Sequence, residues 1–388
     1  MTEPIGIFSF FAGAGFLDLA FERTGNFKTL FVNEYHKAFA DIYVASRKKM
    51  GIQPPEFGYQ VADITENLNN LNSLWLQNNM KSARKKHDLI GFIGGPPCPD
   101  FSIAGKNKGK HGENGKLSGT YIELICRNKP DFFLFENVKG LYRTTKHREF
   151  FESLKRKLIK SGYTLTERLI NAIEYGVPQD RDRIILIGFL ESTLADLGRN
   201  QEDQLLSGFN WIKHSSFSAN DIFQLQWPTQ EKFIEDSIRL CPFTVPVELT
   251  VEYWFKKNEV ETHANSRHFF TPRAGLEKFK VIDEGDDLKK SYKRLHRWRY
   301  SPTAAYGNNE VHLHPYKARR ISAAEALAIQ SLPKEFEIPD CISLTDMFKT
   351  IGNGVPYLAG RGLAMNIYDF VNKTPVKDEK MQYAKTNG

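Results

Sequence analysis

The chain has 388 residues, 41% hydrophobic and 13% aromatic, which is enough to bury a large core and longer than one domain usually runs, so two domains are expected. A formal charge of +7, from 53 basic and 46 acidic residues spread along the chain, is only a weak pointer to a polyanionic partner. Cys98, Cys126, Cys241 and Cys341 stand far apart, arguing against a disulfide framework or a Cys-x-x-Cys metal site and for a reducing, cytoplasmic setting; with no leader-like start and no apolar run of about 18 residues, export and membrane insertion are not expected.

In chain order, residues 5–11 read as a short buried strand, followed by the turn Ala12-Gly13-Ala14-Gly15 and by helical spacing over 16–23. Further apolar runs over 29–33, 89–93, 132–135 and 184–189 read as strands, and 35–49, 64–78 and 148–161 as helices. Strands alternating with helices imply an α/β fold with a doubly wound, mostly parallel sheet, in which ligands bind where the strands end. Beyond residue 190 the alternation fades into scattered aromatics and prolines. A helical pattern returns at Ser322-Ala323-Ala324-Glu325-Ala326, and an amphipathic helix over 357–371 is placed to pack back on the first domain. The expected division is a catalytic domain over 1–190 completed by 344–373, a second domain over 191–343, and a disordered tail over 374–388.

The turn after the first strand lets the backbone approach a nucleotide-like ligand, although an ordinary strand-to-helix turn reads equally well from these residues alone. Glu34, about 20 positions beyond the glycines at the next strand end, is placed to accept ribose hydroxyls. Asp63-Ile64 can similarly receive an adenine amino group. Gly94-Gly95-Pro96-Pro97-Cys98-Pro99 follows a buried strand: prolines hold the cysteine on a rigid backbone at an exposed strand end, as a positioned nucleophile requires. Residues 105–116, rich in glycine and lysine, read either as a basic loop closing on a phosphate backbone or as a solvated surface loop. Glu136 of Glu136-Asn137-Val138 ends another buried strand, where burial favours the protonated form and a carboxyl group can deliver a proton. In Gln179-Asp180-Arg181-Asp182-Arg183 the two arginines share a face of an extended segment, pointing into one cleft or forming a surface ion-pair ladder.

Taken in order, the glycine turn, the Pro-Pro-Cys segment, Glu136-Asn137-Val138, Gln179-x-Arg-x-Arg183 and Ile351-Gly352-Asn353-Gly354-Val355 resemble the cytosine-C5 DNA methyltransferases, over nearly the whole chain except roughly 191–289. The resemblance implies a Rossmann-like S-adenosylmethionine-dependent methyltransferase fold with a second, smaller, irregular target-recognition domain. It implies Cys98 as the nucleophile that adds to C6 of a flipped-out cytosine, Glu136 as the acid at N3, Arg183 supporting the base and Arg181 nearby. It implies S-adenosyl-L-methionine as cofactor, leaving as S-adenosyl-L-homocysteine, with no metal. The cofactor pocket would comprise Phe11, Ala12, Gly13, Ala14, Gly15, Phe16, Glu34, Tyr35 stacking on adenine, Asp63, Ile64, Pro97, Tyr121, Asn353 and Val355. Phe16 stands where many members carry a second glycine, Pro99 where a glutamine often follows the cysteine, and the helix between Gly119 and Pro130 reads about one turn short.

The resemblance also implies double-stranded DNA as partner, a monomer, a bacterial restriction-modification enzyme acting at the nucleoid, and functional pairing with a restriction endonuclease without a stable complex. Ser102, Lys106 and Lys108 of the closing loop, and Arg294, Arg297 and Arg299 of the basic, aromatic stretch 289–300, are the expected DNA contacts, with a structural role for some of that charge as the alternative. A tRNA-modifying member of the family is the rival reading. The large region over 191–289 favours duplex DNA.

Overall fold

The computed structural model describes residues 3–97, 113–142, 144–199, 206, 208–272, 276–289, 291–304, 306 and 310–372. Among these, β1 (Ile5–Phe10), β2 (Phe27–Glu34), β3 (Tyr59–Val61), β4 (Ile90–Gly94), β5 (Phe132–Val138), β6 (Tyr163–Asn171) and β7 (Asp182–Leu190) form one sheet in the order β3-β2-β1-β4-β5-β7-β6. Strands β1 to β5 pair in parallel, and β7 runs antiparallel to both β5 and β6. The order reverses between β1 and β4. A crevice therefore opens at the carboxyl ends of these neighbours, where the two chain directions part.

Two apolar layers cover the sheet because alternate strand residues face opposite sides. Phe132 and Leu134 of β5, with Ile5 and Ile7 of β1, pack toward α1 (Phe16–Glu22) and the C-terminal helix. Helix α2 (Lys37–Lys49) gives Ile42 to a third cluster, whereas Phe133 and Phe135, with Phe8 and Phe10, pack toward α3 (Asn70–Ala83), α4 (Glu113–Asn128) and α5 (Thr145–Lys160).

Beyond β7 come the short helices α6 (Glu191–Asp196), α7 (Ala219–Gln224), α8 (Val251–Lys257) and α9 (Leu276–Lys280), then α10 (Ala323–Ile329), α11 (Leu344–Asn353) and α12 (Tyr357–Asn372). Helix α10 begins at a capping box in which Ser322 and Glu325 each bond the other's backbone amide. No described helix is long and apolar enough to cross a membrane.

The structure amends several expectations. The helix expected over 64–78 is interrupted at Asn69, whose extended backbone and side chain, accepting from the Asn72 amide, start α3 afresh after a 3₁₀ turn at Ile64–Leu68. Strand β6 is an edge strand whose middle, Thr166, Glu167 and Arg168, is polar and partly exposed, so it shows no apolar run. Helix α4 begins at Glu113, so the end of the segment read as a loop is helical and the helix is not short. Ala14, Phe16, Leu19 and Ile42 share one apolar cluster with Val251, Trp254, Leu295, Ile321, α10 and α11, on both sides of residue 343. The tail 374–388 lies outside the described residues.

Candidate active site

The turn after β1 is shaped by left-handed backbone at Phe11 (φ 53°), Gly13 (φ 57°) and Gly15 (φ 79°). For Phe11 that conformation costs about 1–2 kcal/mol, which the surrounding packing must offset. A Cβ on Gly15 would lie 2.4 Å from the Tyr43 ring and 2.5 Å from Arg47 Nη1, so only glycine fits there. Arg47 donates to the Gly15 carbonyl at 2.9 Å, stacks 3.5 Å from the centre of the Tyr43 ring, and pairs with Glu22 at 3.3 Å, while the Tyr43 hydroxyl donates to Asp18 at 3.0 Å. This charged cluster, buried behind the turn, was not anticipated. Its visible signal is an aspartate inside the apolar face Phe16-Leu17-Asp18-Leu19-Ala20. Burial pushes the Asp18 carboxyl up to about 6, against the pull of Arg47.

Glu34 ends β2 with each carboxylate oxygen engaged, one by the Gly13 amide at 2.8 Å and the other by the His36 amide at 2.7 Å. Burial raises its pKa, and these amides oppose the rise. A carboxylate oxygen accepts more than one bond, so Glu34 keeps acceptor capacity for vicinal hydroxyls. Tyr35 beside it is 72% exposed, a free aromatic face at the rim. Asp63 accepts from the Thr65 amide at 2.8 Å and hydroxyl at 2.7 Å, while the Ile64 side chain belongs to the core. Ala12 lies at the turn and its amide donates to Asn33 O at 3.2 Å.

Other residues expected in this pocket lie under it. Tyr121 is fully buried, donates to Leu134 O at 3.1 Å and meets the Phe11 ring edge-on, so it supports the floor. Ala14 and Phe16 face the third apolar cluster, where the Phe16 ring presses against Gly354 and packs edge-on against Phe336 at 5.1 Å. The departure at Phe16 is thus absorbed by packing. Val355 is buried in the sheet's apolar layer, whereas Asn353, the last residue of α11, is exposed.

At the neighbouring strand ends, β4 runs into Gly94-Gly95-Pro96-Pro97 beside the end of β5. A Cβ on Gly95 would stand 2.7 Å from Glu136 Oε2, and Asn137 Nδ2 donates to Pro96 O at 3.3 Å. The other carboxylate oxygen of Glu136 is held by Arg183 Nε at 2.8 Å. Arg183 reaches it because β7 is antiparallel, setting Arg183 opposite Val138 at the carboxyl end of β5. Pro97 is exposed. Cys98, Ser102, Lys106 and Lys108 lie outside the described residues.

Arg181 does not share this cleft. Buried throughout, it donates to Gly352 O at 2.8 Å, Gly354 O at 3.1 Å and Ala304 O at 3.1 Å, and burial opposes its charge strongly. The two arginines diverge because Arg181 precedes the strand in which Arg183 lies.

The expected DNA contacts divide in the same way. Arg294 is buried and its guanidinium is spent on the carbonyls of Ile282, Phe279, His314 and Lys317. Arg297 forms a two-pronged pair with buried Glu284, both contacts at 2.8 Å, and also bonds Ser237. Both are braces of the second region, turned away from solvent. Arg299 is partly exposed beside Tyr300, and its buried Nε has no hydrogen-bond partner among the described residues.

The sequence profile of the C-5 cytosine-specific DNA methylase family matches residues 5–369. The type II methyltransferase M.NmeDI of Neisseria meningitidis serogroup C is 60% identical over 365 residues, covering 94% of this chain and 84% of its own. M.FnuDI of Fusobacterium nucleatum, also a type II methyltransferase, is 28% identical over 388 residues, covering 97% and 98%. A structure described as a DNA modification methyltransferase encoded within an E. coli prophage shares the fold with a TM-score of 0.62 at 19% identity, over 95% of this chain and 100% of its own. The methyltransferase EhMeth of Entamoeba histolytica does so at 0.59 and 14%, over 96% and 100%. With the profile spanning nearly the whole chain over this sheet and these strand ends, the chain belongs to the C-5 cytosine-specific DNA methylases and is a DNA (cytosine-5)-methyltransferase.

Proposed function

We propose that the chain methylates C5 of a flipped-out cytosine in a specific duplex sequence through a covalent Cys98–C6 adduct, and that this protects host DNA from a partner restriction endonuclease. The observation that carries the mechanism is the seating of Glu136: one oxygen on Arg183, the other against Gly95, three residues before Cys98. The crevice fits S-adenosyl-L-methionine, since Glu34 has free acceptor capacity between two fixed amides and Tyr35 offers an uncovered ring. Glu34 would take the ribose hydroxyls, Tyr35 the adenine face, and Asp63 and Asn353 the polar rim. When bound, that cofactor supplies an electrophilic methyl group at the strand ends.

In this reading the Cys98 thiolate forms a bond to C6 while Glu136 donates a proton to N3, so that electron density builds at C5 and makes it nucleophilic. Arg183 fixes the carboxyl group and keeps it aimed. After methylation, water takes the C5 proton, the electrons of that bond form the C5–C6 double bond as the Cys98–C6 bond breaks and the thiolate leaves, and Glu136 recovers its proton from N3. The base must leave the duplex for the thiolate to reach C6. The names of the relatives, type II methyltransferases, support the protective role. Ser102, Lys106, Lys108 and Arg299 would meet DNA, and the enzyme would act as a monomer without stably binding the endonuclease.

A duplex carrying 5-fluorocytosine at the target tests the mechanism, because fluorine cannot leave as a proton does. The expected result is an adduct that survives denaturation and vanishes in Cys98→Ala. Its absence from the unsubstituted enzyme would refute the covalent route, and label from tritiated cofactor appearing only in tRNA would refute the substrate.

A further inference from the structure

Four stretches separated in sequence meet at a buried polar junction. Besides its bonds to Gly352, Gly354 and Ala304, Arg181 reaches the Gln179 side chain, whose Oε1 also accepts from the Ala304 amide at 3.1 Å. Gln179 Nε2 donates to Gln330 Oε1 at 3.3 Å, and Gln330 Nε2 donates to Ile351 O at 2.6 Å. Gln179 and Gln330 are fully buried and Arg181 is 1% exposed. Directly beside the junction, Asp180 N bonds Ser301 O at 2.9 Å, and a Cβ on Gly352 would come within 3.1 Å of Tyr306 N.

The carbonyls of Ile351, Gly352 and Gly354 bracket Asn353 on both sides, and all three are taken by the Gln330 amide or the Arg181 guanidinium. The backbone that presents Asn353 is therefore fixed by side chains rooted in the lead-in to β7 and the end of α10. Two residues after Arg181, Arg183 holds Glu136.

We infer that Arg181, Gln179 and Gln330 are positioning residues that set the segment 351–355, which carries Asn353, against the catalytic pair Glu136–Arg183, without touching cofactor or DNA themselves. The inference rests on the proposed placement of Asn353 at the cofactor. A planar guanidinium with several donors spans separate carbonyls; an ammonium in its place satisfies fewer and frees the segment.

The experiment measures S-adenosyl-L-methionine affinity by calorimetry, affinity for target duplex without cofactor, and the urea midpoint, in the unsubstituted enzyme and in Arg181→Lys, Gln330→Leu and Asn353→Ala. Arg181→Lys and Gln330→Leu are expected to weaken cofactor binding tenfold or more and duplex binding less than twofold. Gln330→Leu keeps the charge of the junction, so the inference stays testable should Arg181→Lys not fold. Cofactor affinity unchanged in both, or duplex affinity falling in parallel, would overturn the inference. If Asn353→Ala leaves cofactor affinity intact, the placement of Asn353 fails. If Asn353→Ala weakens binding and the junction variants do not, only the junction's role fails.

Discussion

Gly354→Ala combined with Phe16→Ala should show strong compensation. A Cβ on Gly354 would stand 2.2 Å from Phe16 Cδ2 and 2.7 Å from Cε2, inside any allowed contact, while the Gly354 backbone (φ −62°, ψ 148°) suits alanine. The ring cannot retreat freely, being 2% exposed and packed edge-on against Phe336. Gly354→Ala alone should cost about 1–3 kcal/mol by overpacking. Phe16→Ala alone should cost about 3–5 kcal/mol through the cavity it leaves. In the double variant the new methyl enters that cavity, so the combined loss should fall short of the sum by at least about 1 kcal/mol. Urea unfolding of the four proteins gives the cycle directly. Because Gly354 adjoins Asn353, cofactor affinity should fall in Gly354→Ala and recover in the double variant. Losses that add to within about 0.5 kcal/mol would refute direct packing of Phe16 on Gly354.

Glu136→Gln keeps the shape of the side chain but removes the proton donor and the ionic partner of Arg183; methyl transfer, followed with tritiated cofactor, should fall about 10²–10⁴-fold, and a fall below tenfold would contradict the assigned role. Burial depresses His296 to about 4 and His312 to about 3, so both fold neutral, and their stabilising contribution is complete above about 6.5 and lost as pH falls toward those values. Each should cost about 2 kcal/mol at pH 5 relative to pH 7. Asp18, raised to about 6, acts in the opposite sense, and its destabilising cost eases by about 1 kcal/mol over the same interval; with His314 and His263 also held below the ordinary value by burial, urea titration at the two pH values should show lower stability at pH 5. A flat profile would count against neutral buried histidines. Arg297→Ala should destabilise by about 3–5 kcal/mol by leaving buried Glu284 with only the longer Arg239 contact at 3.5 Å to balance its charge, whereas Arg299→Ala should leave stability nearly unchanged and lower the salt dependence of duplex binding by about one phosphate contact. Equal effects on unfolding would erase the distinction between brace and contact.

The strand ends were legible because buried strands are short apolar runs and their ends carry glycine, proline and carboxylate signals, as at Phe10-Phe11 and Phe135-Glu136. Strand β6 was not, since an edge strand half open to water needs no apolar run. The arginines show the limit most clearly. Spacing put Arg181 and Arg183 on one face, and composition put Arg294, Arg297 and Arg299 on one surface. What separates them is which carbonyls and carboxylates lie within reach, and for Arg181 those come from residues more than 100 positions away, Gly352 and Ala304. A basic side chain next to aromatics looks the same in sequence whether it meets a phosphate or a buried glutamate. The Asp18–Tyr43–Arg47 cluster was hidden for a related reason: its members sit on two helices whose contact is fixed only by the fold.

The third apolar cluster limits how target specificity can change in this chain. Val251, Trp254, Phe255 and Leu295, from the stretch that would read DNA, share a core with Ala14 of the glycine turn, Phe16 and Leu19 of α1 and Ile42 of α2. Exchanging residues 191–300 for those of a relative would replace the members of that core contributed by Val251, Trp254, Phe255 and Leu295. A viable chimera must therefore carry residues that recreate their volume, so the portable unit is a surface laid over a shared core.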